Sequence, residues 1–301
     1  MPHPTYEAYF QPRPVPLQRL SDPILDAHGV ALTLKREDQV HPGMSGNKFW
    51  KLKYNVKAAL DAGHTTLLTF GGAYSNHIHA VAMVGHALGL KTIGIIRGEC
   101  HQALNPVLAA AHQHGMQLAY LDRSTYRQKH SDEVMAALTQ TWGRFYCLPE
   151  GGSNALAIQG TREILLPVTP SFDVVCCACG TGGTLAGLIA ALSPQQQALG
   201  VSVLKGGGFL QAQIARWLAE IGVESSRWSL ALQYHWGGFA KHKPELLAFI
   251  DTFKQQHGIP LEPVYTGKMM YAVYDMIQQG YFPVGTRVLA LHTGGVNLTQ
   301  A

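Results

Sequence analysis

The amino-acid sequence predicts an α/β fold with two open, mostly parallel twisted sheets that carry helices on both faces. Short apolar strands alternate with helices from residue 66 to residue 148, which is the pattern of a parallel sheet. The segment 149–154, with two adjacent glycines, breaks this rhythm, and the alternation then resumes up to residue 291. We therefore expect two domains: a small one over residues 45–160, and a large one that combines residues 1–44 with 161–301.

Each expected element follows from a local pattern of apolar residues and turn formers. The first forty residues are expected to be an irregular arm that ends in a strand, because Pro12, Pro14 and Pro16 exclude a helix there. The predicted strands, all short apolar runs, cover residues 31–35, 66–70, 92–96, 117–121, 144–148, 173–178, 200–204 and 287–291. The predicted helices begin with one that opens at Gly46-Asn47, and then cover residues 76–88, 106–114, 131–141, 155–165, 184–192, 209–221, 246–257 and 269–279.

The composition excludes several classes of protein. Of the 301 residues, 47% are apolar and 14% are charged, which is typical of a well-buried α/β protein and not of a disordered chain. The net charge of +4 is spread without runs, so we expect no nucleic-acid partner. We see no apolar signal segment and no run of membrane-spanning length, so we expect a cytoplasmic protein without membrane contact.

The cysteines and histidines do not form a metal-binding pattern. Cys176, Cys177 and Cys179 lie in one apolar run, where reduced thiols pack as small hydrophobic groups in a strand. Cys176 and Cys179 form a C-x-x-C pair, but no second pair completes a zinc site. The fifteen histidines are scattered. We therefore expect no metal.

Lys48 lies in the first turn of the helix that Gly46-Asn47 opens. The positive end of a helix dipole disfavours a cation, so the pKa of this lysine should be lowered. A neutral lysine amine is the nucleophile that forms Schiff bases with carbonyl compounds. The alternative is a solvated lysine on an ordinary surface helix.

A glycine-rich turn connects the cysteine-rich strand to the next helix. Its backbone amides, together with the helix N-terminus, would form a cradle for a phosphate group. The turn is neither a P-loop nor a complete dinucleotide fingerprint, because Leu185 stands where the third glycine belongs. A structural tight turn is the alternative. The residues of the turn are Gly180, Thr181, Gly182, Gly183 and Thr184.

Ser75, Asn76 and His77 stand together at the start of another predicted helix. Ser75 or Asn76 has an ordinary use there as the N-cap. The three side chains at a helix N-terminus are equally suited to bind a substrate carboxylate. Together with a helix-start lysine and a phosphate cradle, such an anion site matches what pyridoxal phosphate and an amino acid require.

The motifs resemble those of the 1-aminocyclopropane-1-carboxylate (ACC) deaminase and D-cysteine desulfhydrase family, which belongs to the tryptophan-synthase-β-like, fold type II pyridoxal-phosphate enzymes. The matching motifs run in order along nearly the whole chain. They are Ser45-Gly46-Asn47-Lys48-x-x-Lys51-Leu52, Gly72-x-x-Ser75-Asn76-His77, Pro149-x-Gly151-Gly152-Ser153, Gly180-Thr181-Gly182-Gly183-Thr184, Tyr265-Thr266-Gly267-Lys268 and His292-Thr293-Gly294-Gly295.

The resemblance implies roles for the matching residues. Lys48 would hold pyridoxal phosphate as an internal aldimine, Lys51 with the 180–184 turn would bind its phosphate, and Asn76 would contact its ring hydroxyl. Ser75 and His77 would lie on the substrate side, and Tyr265 would be the active-site tyrosine. The cofactor would occupy the cleft between the domains, with the large domain as its main binding site, and relatives of this kind are homodimers.

Three residues depart from the pattern of ACC deaminases. His77 stands where those enzymes have a glutamine, and the motifs that contain His77 and Thr266 are closer to those of D-cysteine desulfhydrases. Thr266 stands where ACC deaminases have a glutamate, so the pyridine nitrogen would face neutral hydroxyls, those of Thr293 and Thr266. A neutral partner makes the ring a weaker electron sink, which suits β-elimination of a good leaving group better than opening a cyclopropane. Phe239 falls near the position, on the substrate side, where both ACC deaminases and D-cysteine desulfhydrases have a second active-site tyrosine, so it departs from both activities.

The resulting hypothesis is a pyridoxal-phosphate-dependent lyase that acts on a small amino acid. A D-cysteine desulfhydrase-like β-elimination would give pyruvate, ammonia and sulfide, with Lys48 as the base and Ser75 or Tyr265 assisting. ACC deaminase is the alternative on the same scaffold. A pyridoxal-phosphate-binding protein without turnover is an alternative of another class, and a nucleotide-binding α/β module is a third.

Overall fold

The expected alternation of strands and helices is present in a computed structural model of the chain, which describes residues 3–44, 46–100, 103–166 and 171–295. The strands within these ranges are β1 Leu17–Arg19, β2 Ala31–Lys35, β3 Thr66–Gly71, β4 Lys91–Arg97, β5 Gln117–Leu121, β6 Tyr146–Leu148, β7 Val174–Cys179, β8 Gln197–Ser202, β9 Trp228–Ala231 and β10 Arg287–Leu291.

The helices of the same ranges connect the strands in chain order. They are α1 Tyr6–Tyr9, α2 Pro23–His28, α3 Asn47–Asp61, α4 Asn76–Leu88, α5 Pro106–Gln113, α6 Arg123–Arg127, α7 Asp132–Trp142, α8 Ala155–Arg162, α9 Gly183–Ala191, α10 Phe209–Glu220, α11 Pro244–His257 and α12 Thr266–Gln278. Each of these described helices falls short of the length and apolar character that a membrane crossing requires.

One sheet has the strand order β1-β2-β10-β7-β8-β9 across the described residues. β1 runs antiparallel to β2, and the other neighbours are parallel. The central β10 pairs Leu289 with Thr33 of β2 and with Val175 of β7. Because both neighbours are parallel to β10, the segments that follow β2, β7 and β10 leave the sheet at the same edge, which is where ligands bind in open α/β sheets.

The other sheet has the order β5-β4-β3-β6, and all of its neighbouring strands are parallel. Every residue of β3 is buried, as expected for a central strand that is covered on both faces. Leu68 and Phe70 of β3 pack with Ile93 and Ile95 of β4 in a core that also includes Tyr126. The predicted α/β class with two mostly parallel sheets is confirmed.

The chain divides into two compact units. The described parts of residues 1–11 and 52–152 form one unit, and those of 12–51 and 153–300 form the other. The four-stranded sheet belongs to the first unit and the six-stranded sheet to the second. The limits of these units fall several residues away from the predicted boundaries at 45 and 160, and the predicted domain assignment stays a prediction.

The largest difference from the expected elements lies in the first forty residues. This arm contains α1, β1 and α2 as well as the predicted strand β2. Asp22 caps α2 by accepting from the amides of Ile24 and Leu25, Pro23 is its first residue, and Gly29 ends it in the left-handed conformation. Asp-Pro before a short apolar run and Gly after it are standard helix start and stop signals. The Pro-rich composition obscured them.

Candidate functional site

Lys48 and Lys51 lie one turn apart in α3, so their side chains leave the same face of the helix. Burial lowers the pKa of Lys48 to about 8. Burial also holds the pKa of Lys51 well below its usual range, and the nearby charge of Lys48 lowers it further. The direction for Lys48 agrees with the sequence-based expectation, but burial replaces the helix dipole as its main cause. A fraction of the Lys48 amine is therefore neutral near neutral pH.

The glycine-rich turn between β7 and α9 forms a cradle around the Lys51 ammonium. Lys51 Nζ donates to Ser153 Oγ at 2.8 Å and to Thr181 Oγ1 at 3.4 Å, and these two hydroxyl oxygens are 2.6 Å apart. A Cβ at Gly183 would lie 2.6 Å from Ser153 Oγ and 3.3 Å from Lys51 Nζ, so a side chain there would fill the cradle. A buried lysine amine among hydroxyls and helix-start amides suits a phosphate group, whose negative charge would favour the protonated amine.

The starts of α3 and α9 are tied together by a side-chain hydrogen bond. Asn47 Nδ2, in the first residue of α3, donates to Thr184 Oγ1 at 2.7 Å. Gly182 precedes α9 with φ +79°, and a Cβ there would lie 2.9 Å from Ile214 of α10. The glycine-rich turn is therefore held by a hydrogen bond from α3 and packs closely against α10.

Glu37 holds the segment that carries Lys48 from both sides. Its carbonyl accepts from the Gly46 amide at 3.0 Å, and its carboxylate oxygen Oε2 accepts from Trp50 Nε1 at 2.6 Å. Lys35 Nζ donates to the other carboxylate oxygen. Glu37 is fully buried and Trp50 nearly so. Because these contacts lie before and after Lys48, the backbone carbonyl and the side chain of Glu37 together fix the position of that first helical turn.

Gly46 and Thr293 are packed against each other. Gly46 has φ +59°, and a Cβ there would lie 1.8 Å from the Thr293 carbonyl oxygen. Thr293 follows β10. The carboxyl end of this central strand is therefore close to the start of α3, the helix that carries Lys48. Ser45, the first residue of the quoted motif, lies outside the described residues.

Tyr265 stands at the N-terminus of α12, next to two other predicted site residues. A Cβ at Gly180 would lie 3.2 Å from Tyr265 Cε1 and 3.4 Å from its hydroxyl oxygen. The rings of Phe239 and Tyr265 pack edge to face, with centroids 5.9 Å apart. The structure thus brings together the start of the glycine-rich turn, the predicted active-site tyrosine and Phe239.

Thr266 is engaged by a carboxylate that the sequence analysis did not single out. Glu262 accepts from the amides of Val264, Tyr265 and Thr266 at 2.7, 2.7 and 2.6 Å, and the Thr266 hydroxyl donates to it at 3.2 Å. Burial raises the pKa of Glu262, and these hydrogen bonds oppose the rise. Glu262 therefore caps the start of α12. Its carboxylate also accepts a hydrogen bond from the Thr266 hydroxyl, whose proton therefore points towards Glu262.

The Ser75–His77 segment lies in the other unit, at the start of α4. Ser75 is the N-cap, and its Oγ accepts from the Ile78 amide. His77 is 1% exposed, and its Nε2 lies 2.9 Å from Thr69 Oγ1. The Thr69 hydroxyl donates to the Leu148 carbonyl, so it accepts from His77, whose Nε2 must carry the proton. The contact between His77 and Thr69 lies in the interior of this unit. The substrate roles of Ser75, Asn76 and His77 stay predictions.

The cysteine run has the predicted packing. Cys176, Cys177 and Cys179 are free, buried thiols of β7. Burial raises the pKa of Cys176, so its sulfur stays a neutral thiol. No group of three or more His, Cys, Asp or Glu side chains in the described ranges is arranged to hold a metal ion.

A model of the pyridoxal-phosphate dependent enzyme family matches residues 9–294 of the chain. The chain belongs to this family. A putative 1-aminocyclopropane-1-carboxylate deaminase of Thermotoga maritima is 31% identical over an alignment of 301 positions, which covers 94% of this chain and 94% of the relative. A D-cysteine desulfhydrase of Klebsiella pneumoniae is 30% identical over 305 residues, covering 94% of this chain and 92% of the relative. The crystal structure of an ACC deaminase homologue superposes with a TM-score of 0.85 at 28% identity, over 99% of this chain and 96% of the other.

The residues of this pyridoxal-phosphate enzyme fit the cofactor of its family. The Lys51 cradle has the hydrogen-bond donors that a phosphate requires, and the glycine at 183 keeps it free of a side chain. The lowered pKa of Lys48 leaves a fraction of its amine neutral, as reaction with an aldehyde requires, on the same helix face as Lys51. The individual roles of Lys48, Lys51, Asn76, Thr293 and the 180–184 turn stay predictions.

Four residues that position the site were not among the predicted site residues. Ser153 belongs to the quoted Pro-x-Gly-Gly-Ser motif, and Asn47 to the Gly-Asn pair, so both had a signal in the sequence. Glu262 precedes a helix start, where acidic residues commonly cap. No local sequence pattern indicated a role for Glu37, because its contacts with Gly46 and Trp50 form only in the folded chain.

Proposed function

We propose that this enzyme is a lyase that removes a β-substituent from a small amino acid, with D-cysteine as the substrate and pyruvate, ammonia and sulfide as the products. The observation that carries the proposal is the start of α12. The residue after Tyr265 is Thr266, which is fully buried and donates its hydroxyl to Glu262. Position 266 therefore carries a neutral hydroxyl that is already bonded to Glu262, and Thr293 would be the neutral hydroxyl left to hold the cofactor ring.

Pyridoxal phosphate, when bound, supplies an electron sink for the negative charge that develops at Cα of an amino acid. A neutral partner makes that sink weaker, so a reaction with a good leaving group is favoured over the opening of an unactivated ring. The relative named D-cysteine desulfhydrase supports this choice. The relative named ACC deaminase is similar at the same level, and deamination of ACC is therefore the second candidate.

Lys48 is the base of the proposed reaction. Its amine, with a pKa of about 8, is able to take the Cα proton and to return it near neutral pH. The carbon–sulfur bond of D-cysteine then breaks, sulfur leaves with the bonding electrons as hydrosulfide, and water hydrolyses the remaining enamine to pyruvate and ammonia. Lys51, Ser153 and Thr181 would hold the cofactor phosphate, and so keep the reacting carbon within reach of Lys48.

Tyr265 and the start of α4 would orient the substrate. The Tyr265 ring lies against both Gly180 and Phe239, so its hydroxyl lies next to the glycine-rich turn. A helix N-terminus attracts a carboxylate, and Ser75 and Asn76 stand at that of α4. Phe239 contributes an apolar ring edge beside Tyr265. A tyrosine at position 239 would instead carry a hydroxyl that could form a hydrogen bond.

The test is a substrate panel assayed with the purified protein and with Lys48→Ala. Wild type should show a visible absorption band and release pyruvate from D-cysteine and β-chloro-D-alanine faster than from L-cysteine or ACC. Lys48→Ala should lose both the band and the turnover. Borohydride reduction followed by peptide mapping should find the cofactor attached to Lys48.

Each other outcome assigns the protein differently. Turnover of ACC alone would make the protein an ACC deaminase. It would also refute the inference that Thr266 favours β-elimination over ring opening. A coloured protein that is inert towards every amino acid would be a pyridoxal-phosphate-binding protein without turnover. Activity that survives in Lys48→Ala would refute the assignment of the base.

A further inference from the structure

Lys268 is a fully buried lysine that the proposed reaction does not use. Its Nζ donates to two backbone carbonyls, those of His235 at 2.9 Å and Gly238 at 2.8 Å. A buried ammonium is costly unless its hydrogen bonds are satisfied, so these two contacts justify the burial of the charge. Both acceptors lie in one short segment that precedes α11, which we call the 235–240 turn.

The 235–240 turn has an unusual backbone. Trp236 and Ala240 have φ angles of 55° and 56°, in the left-handed region that L-residues with side chains rarely adopt. Gly237 and Gly238, between them, also have positive φ angles. Such strain persists only where the surroundings hold the chain in place, and it is commonly found at functional sites. The Trp236 ring is held against Tyr271 of α12, with centroids 4.7 Å apart.

This turn carries Phe239, whose ring packs edge to face on Tyr265. Tyr265 and Lys268 stand three residues apart at the beginning of α12, which Glu262 caps. The start of α12 therefore contacts the 235–240 turn in two ways. Tyr265 packs against Phe239, and Lys268 donates hydrogen bonds to the carbonyls that flank Trp236 and Gly237. The position of Phe239 relative to Tyr265 depends on these hydrogen bonds.

We propose that Lys268 is a positioning residue that clamps the 235–240 turn to the start of α12, and that the clamp sets the size of the β-substituent that the substrate may carry beside Phe239 and Tyr265. The size selection rests on the proposed function, whereas the clamp does not. Without the two carbonyl contacts the strained turn relaxes, Phe239 leaves the Tyr265 ring, and the apolar edge of the site is lost.

The variant Lys268→Met removes both hydrogen bonds and keeps a side chain of similar length. Lys254→Met, an exposed lysine of α11, is the matched control. Hydrogen exchange of the peptide that spans residues 232–243 should become faster in Lys268→Met and stay unchanged in the control, because the amides of Gly238 and Lys241 are bonded within the turn. The visible absorption of the bound cofactor should persist in both variants.

The kinetic readout compares D-cysteine with the bulkier S-methyl-D-cysteine. We expect Lys268→Met to change the ratio of their kcat/KM values by about ten- to a hundredfold, mainly through KM, since a shift of about 1 Å in a positioning group has effects of this size. Unchanged exchange in the turn refutes the clamp. Faster exchange with an unchanged ratio refutes the size selection.

Two further results keep the inference separate from the proposed function. If wild type turns over no amino acid, the proposed function and the size selection fail, while the exchange measurement still decides the clamp. If Lys268→Met does not fold, the same measurements are made on Lys268→Gln, whose uncharged side chain is one bond shorter and no longer reaches both carbonyls. Faster exchange in that variant supports the clamp, and wild-type exchange refutes it.

Discussion

The contact between Gly46 and Thr293 gives a quantitative prediction for Gly46→Ala. The added Cβ would lie 1.8 Å from the Thr293 carbonyl oxygen, and real Cβ atoms stay at least 3.0 Å from such neighbours. The start of α3 must therefore move away from Thr293 by at least about 1.2 Å. The left-handed φ of +59° adds about 1–2 kcal/mol of strain for a residue with a side chain. Overpacking costs about 1–3 kcal/mol.

Together these effects predict a loss of about 2–5 kcal/mol in the free energy of unfolding. A displacement of about 1 Å in the turn that carries Lys48 predicts a fall of about 100-fold in kcat/KM. The measurements are urea unfolding of the apoprotein, titration with pyridoxal phosphate followed by absorbance, and steady-state kinetics with D-cysteine.

Gly63→Ala is the matched control, because Gly63 has a similar φ of +68° but nothing within 4 Å of its added Cβ. It should cost only the conformational term, about 1–2 kcal/mol, and leave cofactor binding near that of wild type. The reasoning fails if Gly46→Ala binds the cofactor and turns over substrate within about threefold of Gly63→Ala, well below the 100-fold effect expected from the displacement.

Two other predictions concern buried charges of the same unit. Glu262→Gln replaces an acceptor of four hydrogen bonds by an amide that accepts on one side only, so urea unfolding should show a loss of about 2–4 kcal/mol, and wild-type stability would contradict the capping role. The pKa of Lys48 is about 8 in the folded protein, below the usual 10.5. Between these pH values the unfolded chain therefore binds more protons than the folded protein. The free energy of unfolding of the apoprotein should accordingly rise as the pH increases from about 8 to 10.5. Urea unfolding at several pH values should show this gain reduced in Lys48→Met, and an identical slope in both proteins would show that the pKa of Lys48 is not lowered.

The fold class was predictable because its signals are local. The predicted strands at 31–35, 117–121 and 287–291 and the helix at 76–88 agree with the observed limits, since apolar runs and helix caps are written in adjacent residues. The strand predicted at 200–204 is β8, Gln197–Ser202, because the polar Gln197 occupies the first position of a strand whose remaining residues are buried. The short edge strands β1 and β9 were missed, because three or four residues carry too little pattern.

The sequence by itself determined the residue types that suit a pyridoxal-phosphate enzyme: a helix-start lysine, a glycine-rich turn with two threonines, and the tyrosine at the start of α12. These are short motifs, and motifs depend on neighbouring residues. Only the tertiary structure decided that burial lowers the pKa of Lys48, that Thr266 belongs to the Glu262 cap, and that His77 is an interior side chain. Desolvation and hydrogen bonding depend on which side chains the packed chain brings together, such as Glu37 with Trp50 and Lys51 with Ser153, and that information is not local in the sequence.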